Sequence, residues 1–182
     1  MRIPLLAALT APLLSIQGCT PTTPADTALV QLLDSMEQRL DISEQVALSK
    51  WDSGQLVQAP QRERQVIAQA QSEALRSGVD AQRAGVFFFD QIEANKLLQY
   101  SALSRWHAAG SAPQTPRIDL ATQLRPQLDR LQQVLLDELA EFDRHRPEPC
   151  PSALAQAIEK RKKSPERSLA LIRATAHLCP AL

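Results

Sequence analysis

The chain has 182 residues, 44% of them apolar and only 4% aromatic, with five glycines. That balance favours helices over strands, and no stretch shows the period-2 alternation of a half-buried strand. Twenty basic and twenty acidic side chains cancel to a formal net charge of zero, which argues against a general nucleic-acid surface.

At the N-terminus, Arg2 precedes an uncharged run from Ile3 to Ile16, too short to span a bilayer and suited to the apolar region of a signal peptide. Residues 1–25 are therefore expected to be a leader, and the protein to be exported to the periplasm. The segment Leu14-Ser15-Ile16-Gln17-Gly18-Cys19 resembles a bacterial lipobox, in which Cys19 would be lipidated and would anchor the mature protein to the outer membrane. Ordinary cleavage nearer Ala25 is the alternative, and Thr20 to Pro24 would serve as a tether. About 160 residues remain, enough for one domain around a single core, with expected bounds 26–182.

The first long helix is expected over Thr27 to about Asp52, with a core stripe of Leu29, Leu33, Met36, Leu40, Ala47 and Trp51. Arg39 and Lys50 stand on its shoulder, eleven residues apart, so both project in nearly the same direction about 16 Å apart along the axis. After the Asp52-Ser53-Gly54 break, Pro60 suits the first position of a second helix ending at Gly78. Its opening turn holds Arg62 and Glu63, and an arginine there opposes the helix dipole and calls for a nearby anion.

A third helix, about Asp80 to Ala109, carries Phe88, Ile92, Leu98, Ala102, Leu103 and Trp106 on one face. Asn95 and Gln99 fall at the centre of that stripe. A buried amide without partners costs about 1–3 kcal/mol, so two of them one turn apart indicate a polar cavity inside apolar core. Phe87, Phe88, Phe89 and Trp106 are assigned to core.

Gly110 to Pro116 reads as a linker. A fourth helix is capped at Asp119 and runs to Arg144, with Pro126 forcing a late start or a kink. Two short helices, Ser152 to Lys162 and Ser164 to Leu178, complete the chain, and the run Lys160-Arg161-Lys162-Lys163 is read as a solvated helix end. Apart from Cys19 the cysteines form one pair, Cys150 and Cys179. In an exported chain these are expected to form a disulfide, closing a loop worth about 3.6 kcal/mol in the chain-entropy model. A zinc site drawn from Cys150, Cys179, His145 and His177 lacks the usual ligand spacings, and no metal is expected.

Arg39, then Lys50, then Arg62-Glu63, and later Asn95-Lys96-Leu97-Leu98-Gln99 together resemble the all-helical chorismate mutase family. Its pattern is Arg, Lys, Arg-Glu and then a hydroxyl residue four before Gln or Glu. Each element alone is better explained as a surface charge or a stripe-edge residue snorkelling to water; the ordered set carries the resemblance, over about residues 26–110. The later half, 117–182 with its two cysteines, looks like the exported subclass, in which an arginine from a later helix of the same chain closes the pocket. Arg125 is the candidate, with Arg117 and Arg130 as alternatives.

The resemblance implies an all-α fold of about six helices, three long ones forming the pocket, and no β-sheet. It implies a cofactor-free rearrangement of chorismate to prephenate, with chorismate the only partner and the protein a monomer or homodimer. Arg39 and Arg125 would grip the substrate carboxylates, while Lys50 and Gln99 would donate to the ether oxygen as its charge develops. Glu63 would accept from the substrate hydroxyl, Asn95 would orient a carboxylate or neighbour, and Arg62 would complete the positive lining. The sequence departs from the family at Ala59, where an aspartate is common, and at Asn95, which replaces the hydroxyl residue. Two other readings stay open: an isochorismate-pyruvate lyase, and a non-catalytic helical envelope lipoprotein.

Overall fold

The computed structural model describes residues 23–161 and 163–179, among which there are seven α-helices, one π-helical turn and no strand. The helices are α1 (Pro24–Asp41), α2 (Ser43–Ser53), α3 (Pro60–Ser77), α4 (Ala81–Ala109), α5 (Arg125–Arg144), α6 (Cys150–Glu159) and α7 (Pro165–Ala174); the π turn is Leu120–Leu124. Of the leader expected over 1–25, residues 1–22, Cys19 included, lie outside the described residues.

Local chemistry sets most of the boundaries. Thr23 caps α1 in a capping box with Asp26, and Pro24 takes the first turn. The helix thus begins three residues before Thr27, and Pro24 belongs to it rather than to a tether. Gly54 ends α2 in the left-handed region at φ 66°, where a side chain would be strained. Asp80 caps α4 by accepting from the Arg83 backbone N–H.

Two features depart from the expected elements. The first long helix is divided at Ile42, whose N–H turns to the Leu40 carbonyl. Ile42 and Ser43 are both weak helix formers, and the chain bends there, with the ladder resuming from Val46 to Ile42. The fourth helix opens as a π turn, in which Leu124 N–H reaches the Asp119 carbonyl and Arg125 N–H reaches that of Leu120. Pro126 has no N–H to give the carbonyl four residues back and its ring would crowd that group. The wider turn accommodates it, and Asp119 caps the start through Thr122 N–H.

The core is continuous through α1, α3, α4, α5, α6 and α7, centred on Leu32, Leu33, Met36, Phe88, Leu135, Leu136, Leu139 and Phe142. Phe89 is the exception among the aromatics assigned to core: it is 46% exposed, covered on one side by the Arg173 guanidinium. Phe87 and Phe88, both buried, straddle the inward face, and Phe89 lies about 200° round the helix from Phe87, past the edge of that face.

The C-terminal helices are bound back onto the bundle by charges and by a disulfide. Cys150 and Cys179 are bridged, with Cα atoms 5.8 Å apart, so neither is a metal ligand. Arg83 reaches Asp143 and donates to the carbonyls of His177 and Leu178 at 2.6 and 2.8 Å. Two residues of the basic run after α6 are paired with α1, although Lys160 and Lys163 stay exposed. Arg161 pairs with Asp34 at 2.7 Å, Lys163 pairs with Glu37 at 3.2 Å, and Arg167 of α7 pairs with Asp41, so three acids on one stripe of α1 are each taken up.

Glu138 on α5 is a weak point. Burial pushes its carboxyl above the ordinary range, helped by Asp34 and Asp137 and opposed by a hydrogen bond from Ser35, and its Oε2 has no partner. An acid whose folded pKa is raised contributes stability below its unfolded pKa that is lost as pH rises through the folded value. Glu138→Gln is therefore expected to raise Tm at pH 7 by up to about 3 °C and to give no gain at pH 4, as read by thermal melting at both.

Candidate active site

The bend at Ile42, the Gly54 cap and the π turn bring α1, α2, α3, α4 and α5 around one cavity of about 160 Å³. Arg39, Lys50, Arg62, Glu63, Asn95, Gln99 and Arg125 all line it, with Val46, Val57, Val66, Ile92, Leu120 and Leu128 as apolar walls. Of the alternative arginines, Arg117 is held outside by Asp52, at 2.6 and 3.3 Å, and Arg130 is exposed on α5 away from the cavity.

Arg39 is 6% exposed and its Nε has no partner. Burial pushes its guanidinium down to about 10; Asp129 opposes this and Arg62 adds to it. A buried cation without a bonded carboxylate is costly unless an anion comes to it.

Lys50 is half-buried. Its Nζ donates to the Val57 carbonyl at 2.7 Å, which leaves two donors. Burial lowers its pKa; Glu63 counters that, and Lys96 and Arg125 reinforce it. Arg62, in the first turn of α3, has the anion its position calls for in Asp129, 3.2 Å away. Glu63 accepts the Ala59 N–H at 2.9 Å and pairs with Lys96, which closes the start of α3, where no side chain caps the helix.

The two amides form a relay whose direction a backbone carbonyl fixes. Asn95 Nδ2 donates to the Arg39 carbonyl at 3.0 Å, so Asn95 Oδ1 is an acceptor, and Gln99 Nε2 donates to it at 2.9 Å. Reversing either amide would set two oxygens or two nitrogens against each other. Gln99 therefore faces the cavity with one N–H spare and an unpaired Oε1.

Sequence reasoning missed Lys96, Asp129 and Gln132, all on the cavity wall. Lys96 had a signal, being one turn beyond Ile92 on a buried stripe; Asp129 and Gln132 arrive only through the packing of α5 on α3. Five cationic side chains and two carboxylates line the space, an excess of three positive charges in a partly desolvated pocket. Such a lining selects a small dianion, and the amide and ammonium donors can follow charge that develops between its ends.

Comparison with known proteins agrees with this geometry. A profile of the family Chorismate mutase type II matches residues 26–100. The secreted chorismate mutase of Mycolicibacterium smegmatis is 34% identical over 123 residues, which is 66% of this chain and 67% of that protein. The crystal structure of chorismate mutase from Burkholderia phymatum superposes with a TM-score of 0.81 at 42% identity, covering 87% of this chain and 99% of the other. That of chorismate mutase from Burkholderia thailandensis gives 0.80 at 40% identity, covering 85% and 100%.

Proposed function

Because the chain belongs to the chorismate mutase type II family, we propose that its cavity binds the chorismate dianion and rearranges it to prephenate without cofactor or metal. The observation that supports this most is Arg39, a buried guanidinium with an unpaired Nε in a cavity with surplus positive charge. Chorismate carries two carboxylates and an ether oxygen that gains negative charge as its C–O bond stretches. The reaction then needs a compact conformer to be selected and donors to be aimed at that oxygen.

Arg39 and Arg125 take the two carboxylates, and Arg62 adds to the positive field. Lys50 and Gln99 donate to the ether oxygen. Glu63 accepts from the substrate hydroxyl, and Asn95 acts through Gln99 by fixing which way its amide points. Tracking chorismate and isochorismate with the protein tests the reading. Prephenate from chorismate supports it, whereas pyruvate from isochorismate, or no turnover of either, overturns it.

Gln99→Glu gives a sharper result. Asn95 Oδ1 is held as an acceptor by the Arg39 carbonyl, so an ionised glutamate at 99 would face it with a second lone pair, and could not donate to the ether oxygen. The protonated acid has a single O–H, which can serve the ether oxygen or Asn95 Oδ1 but not both at once, so protonation restores the donor to the ether oxygen without the full amide relay. From an unperturbed pKa of about 4.3, burial raises the new acid and the cavity cations lower it. The variant is expected to be poorly active at neutral pH and to recover as pH falls through its in-site pKa, while the parent stays comparatively flat. Parallel kcat/KM profiles from about pH 4 to 8, a range that brackets that value, would remove Gln99 from the role.

The chain is exported, a reading supported by its similarity to a secreted enzyme and by its disulfide. We assign the periplasm as its compartment, residues 1–25 to a leader and tether whose last residues, Thr23 to Ala25, open α1, and 26–182 to one catalytic domain. Processing at Cys19 with lipid anchoring is preferred to cleavage near Ala25, which would remove the Thr23 cap and Pro24 from α1. Cys19→Ser should then release the protein from the membrane fraction; unchanged fractionation would refute the anchor.

A further inference from the structure

Lys96 is the cation of the cavity that the proposed chemistry leaves unused. Its side chain is 9% exposed, and its Nζ lies 2.6 Å from Glu93 Oε1 and 3.3 Å from Glu63 Oε2. Lysines are seldom this buried unless paired, and here the pairing has a direction. Glu93 stands outside the cavity lining, whereas Glu63 is part of it.

Glu63 has two ammonium groups as neighbours. Lys96 contacts it directly, and it is also the charge that favours the protonated form of Lys50. In a site partly stripped of water, a carboxylate between two cations draws on both. A close Glu63 to Lys50 pair would occupy the hydrogens that Lys50 has left after its bond to the Val57 carbonyl. The Ala59 N–H holds Glu63 from one side and the Lys96 ammonium from the other.

We propose that Lys96 is a positioning residue, its ammonium braced by Glu93 and taking up the Glu63 carboxylate so that the Lys50 ammonium is left to bound chorismate. This role rests on the reading of Lys50 as the donor to the ether oxygen. It makes Glu93, Lys96 and Glu63 a chain of alternating charge that runs from the outer face of α4 into the cavity.

The test is a suppression experiment on the full chain with chorismate as substrate. Lys96→Met is expected to lose about tenfold or more, mostly in kcat, because Glu63 then competes for a donor whose complete loss costs about 10²–10³. Glu63→Gln removes the competing charge and slows the enzyme by itself, so the comparison is made within that background: there, adding Lys96→Met should cost little beyond what Glu63→Gln costs alone. Lys96→Arg, which keeps the cation, should stay within a few-fold of the parent.

A Lys96→Met loss as large in the Glu63→Gln background as in the parent overturns the proposal, as does Lys96→Met with parental kcat. If thermal melting shows that Lys96→Met does not fold, Lys96→Gln removes the charge and keeps a donor, and the same comparison decides. Failure here is separable from failure of the function. An active Lys50→Ala would remove the underlying reading, whereas an inactive Lys50→Ala with no suppression removes only the role of Lys96.

Discussion

Lys50→Ala is expected to lower kcat for the chorismate rearrangement by about 10²–10³, the usual loss when one preorganised donor to developing charge is removed. The side chain leaves the C-terminal turn of α2 and bonds the Val57 carbonyl at 2.7 Å, which fixes the direction of its remaining hydrogens before any ligand arrives. Its lowered pKa comes chiefly from burial, and a negative charge forming beside it relieves that cost in the transition state more than in the ground state. The effect should therefore fall on kcat, with KM changing less. Chorismate consumption under saturating conditions measures it, with thermal melting to show that the fold survives. Near-normal turnover would remove Lys50 from the reaction.

Arg39→Ala and Arg125→Ala should be crippling to a similar degree, each by about 10² or more in kcat/KM, the scale for truncating one partner of a charge pair that binding desolvates; Arg39 is already buried, whereas Arg125 is exposed where it lines the cavity. The substrate carries two carboxylates, and these two guanidinium groups line the cavity from different helices. Arg39 comes from α1 beneath the amide relay, and Arg125 from the close of the π turn. Arg130, exposed on α5 away from the cavity, supplies the control, and Arg130→Ala should behave as the parent. The assignment fails if Arg125→Ala is silent while Arg117→Ala or Arg130→Ala abolishes activity.

Much of this arrangement was legible before any coordinates. Pro60, Gly78, Asp80 and Gly110 mark helix ends for reasons internal to each residue, and the ends of α3 and α4 fall there. Asn95 and Gln99 were visible because a polar residue on an apolar stripe contradicts its neighbours. What escaped depends on contacts between segments. The bend at Ile42 carries no proline or glycine, and the π turn at Leu120–Leu124 is one of two answers to Pro126, a kink or a widened turn, between which sequence offers no choice. A Glu and Lys three apart, as at Glu93 and Lys96, is ordinarily a surface pair; it is buried here because α3 supplies Glu63 against it. The pairing of Arg161 and Lys163 is hidden in the sequence because their acids, Asp34 and Glu37, lie more than a hundred residues earlier.

The π turn has a consequence that reaches beyond the pocket's shape. It delivers Arg125 from this chain's own α5 to the cavity that Arg39 and Lys50 line, so on the proposed assignment both carboxylate-binding arginines belong to one polypeptide. A site stitched together from two subunits empties when the subunits separate, and a protein released from the cytoplasm meets a compartment where its concentration is set by export rather than by synthesis. An enzyme that carries its whole site in one molecule is indifferent to dilution, so the proposed assignment of Arg125 is expected to give the same specific activity at the lowest protein concentration that can be assayed as at the highest; a fall on dilution would place part of the site on a second copy.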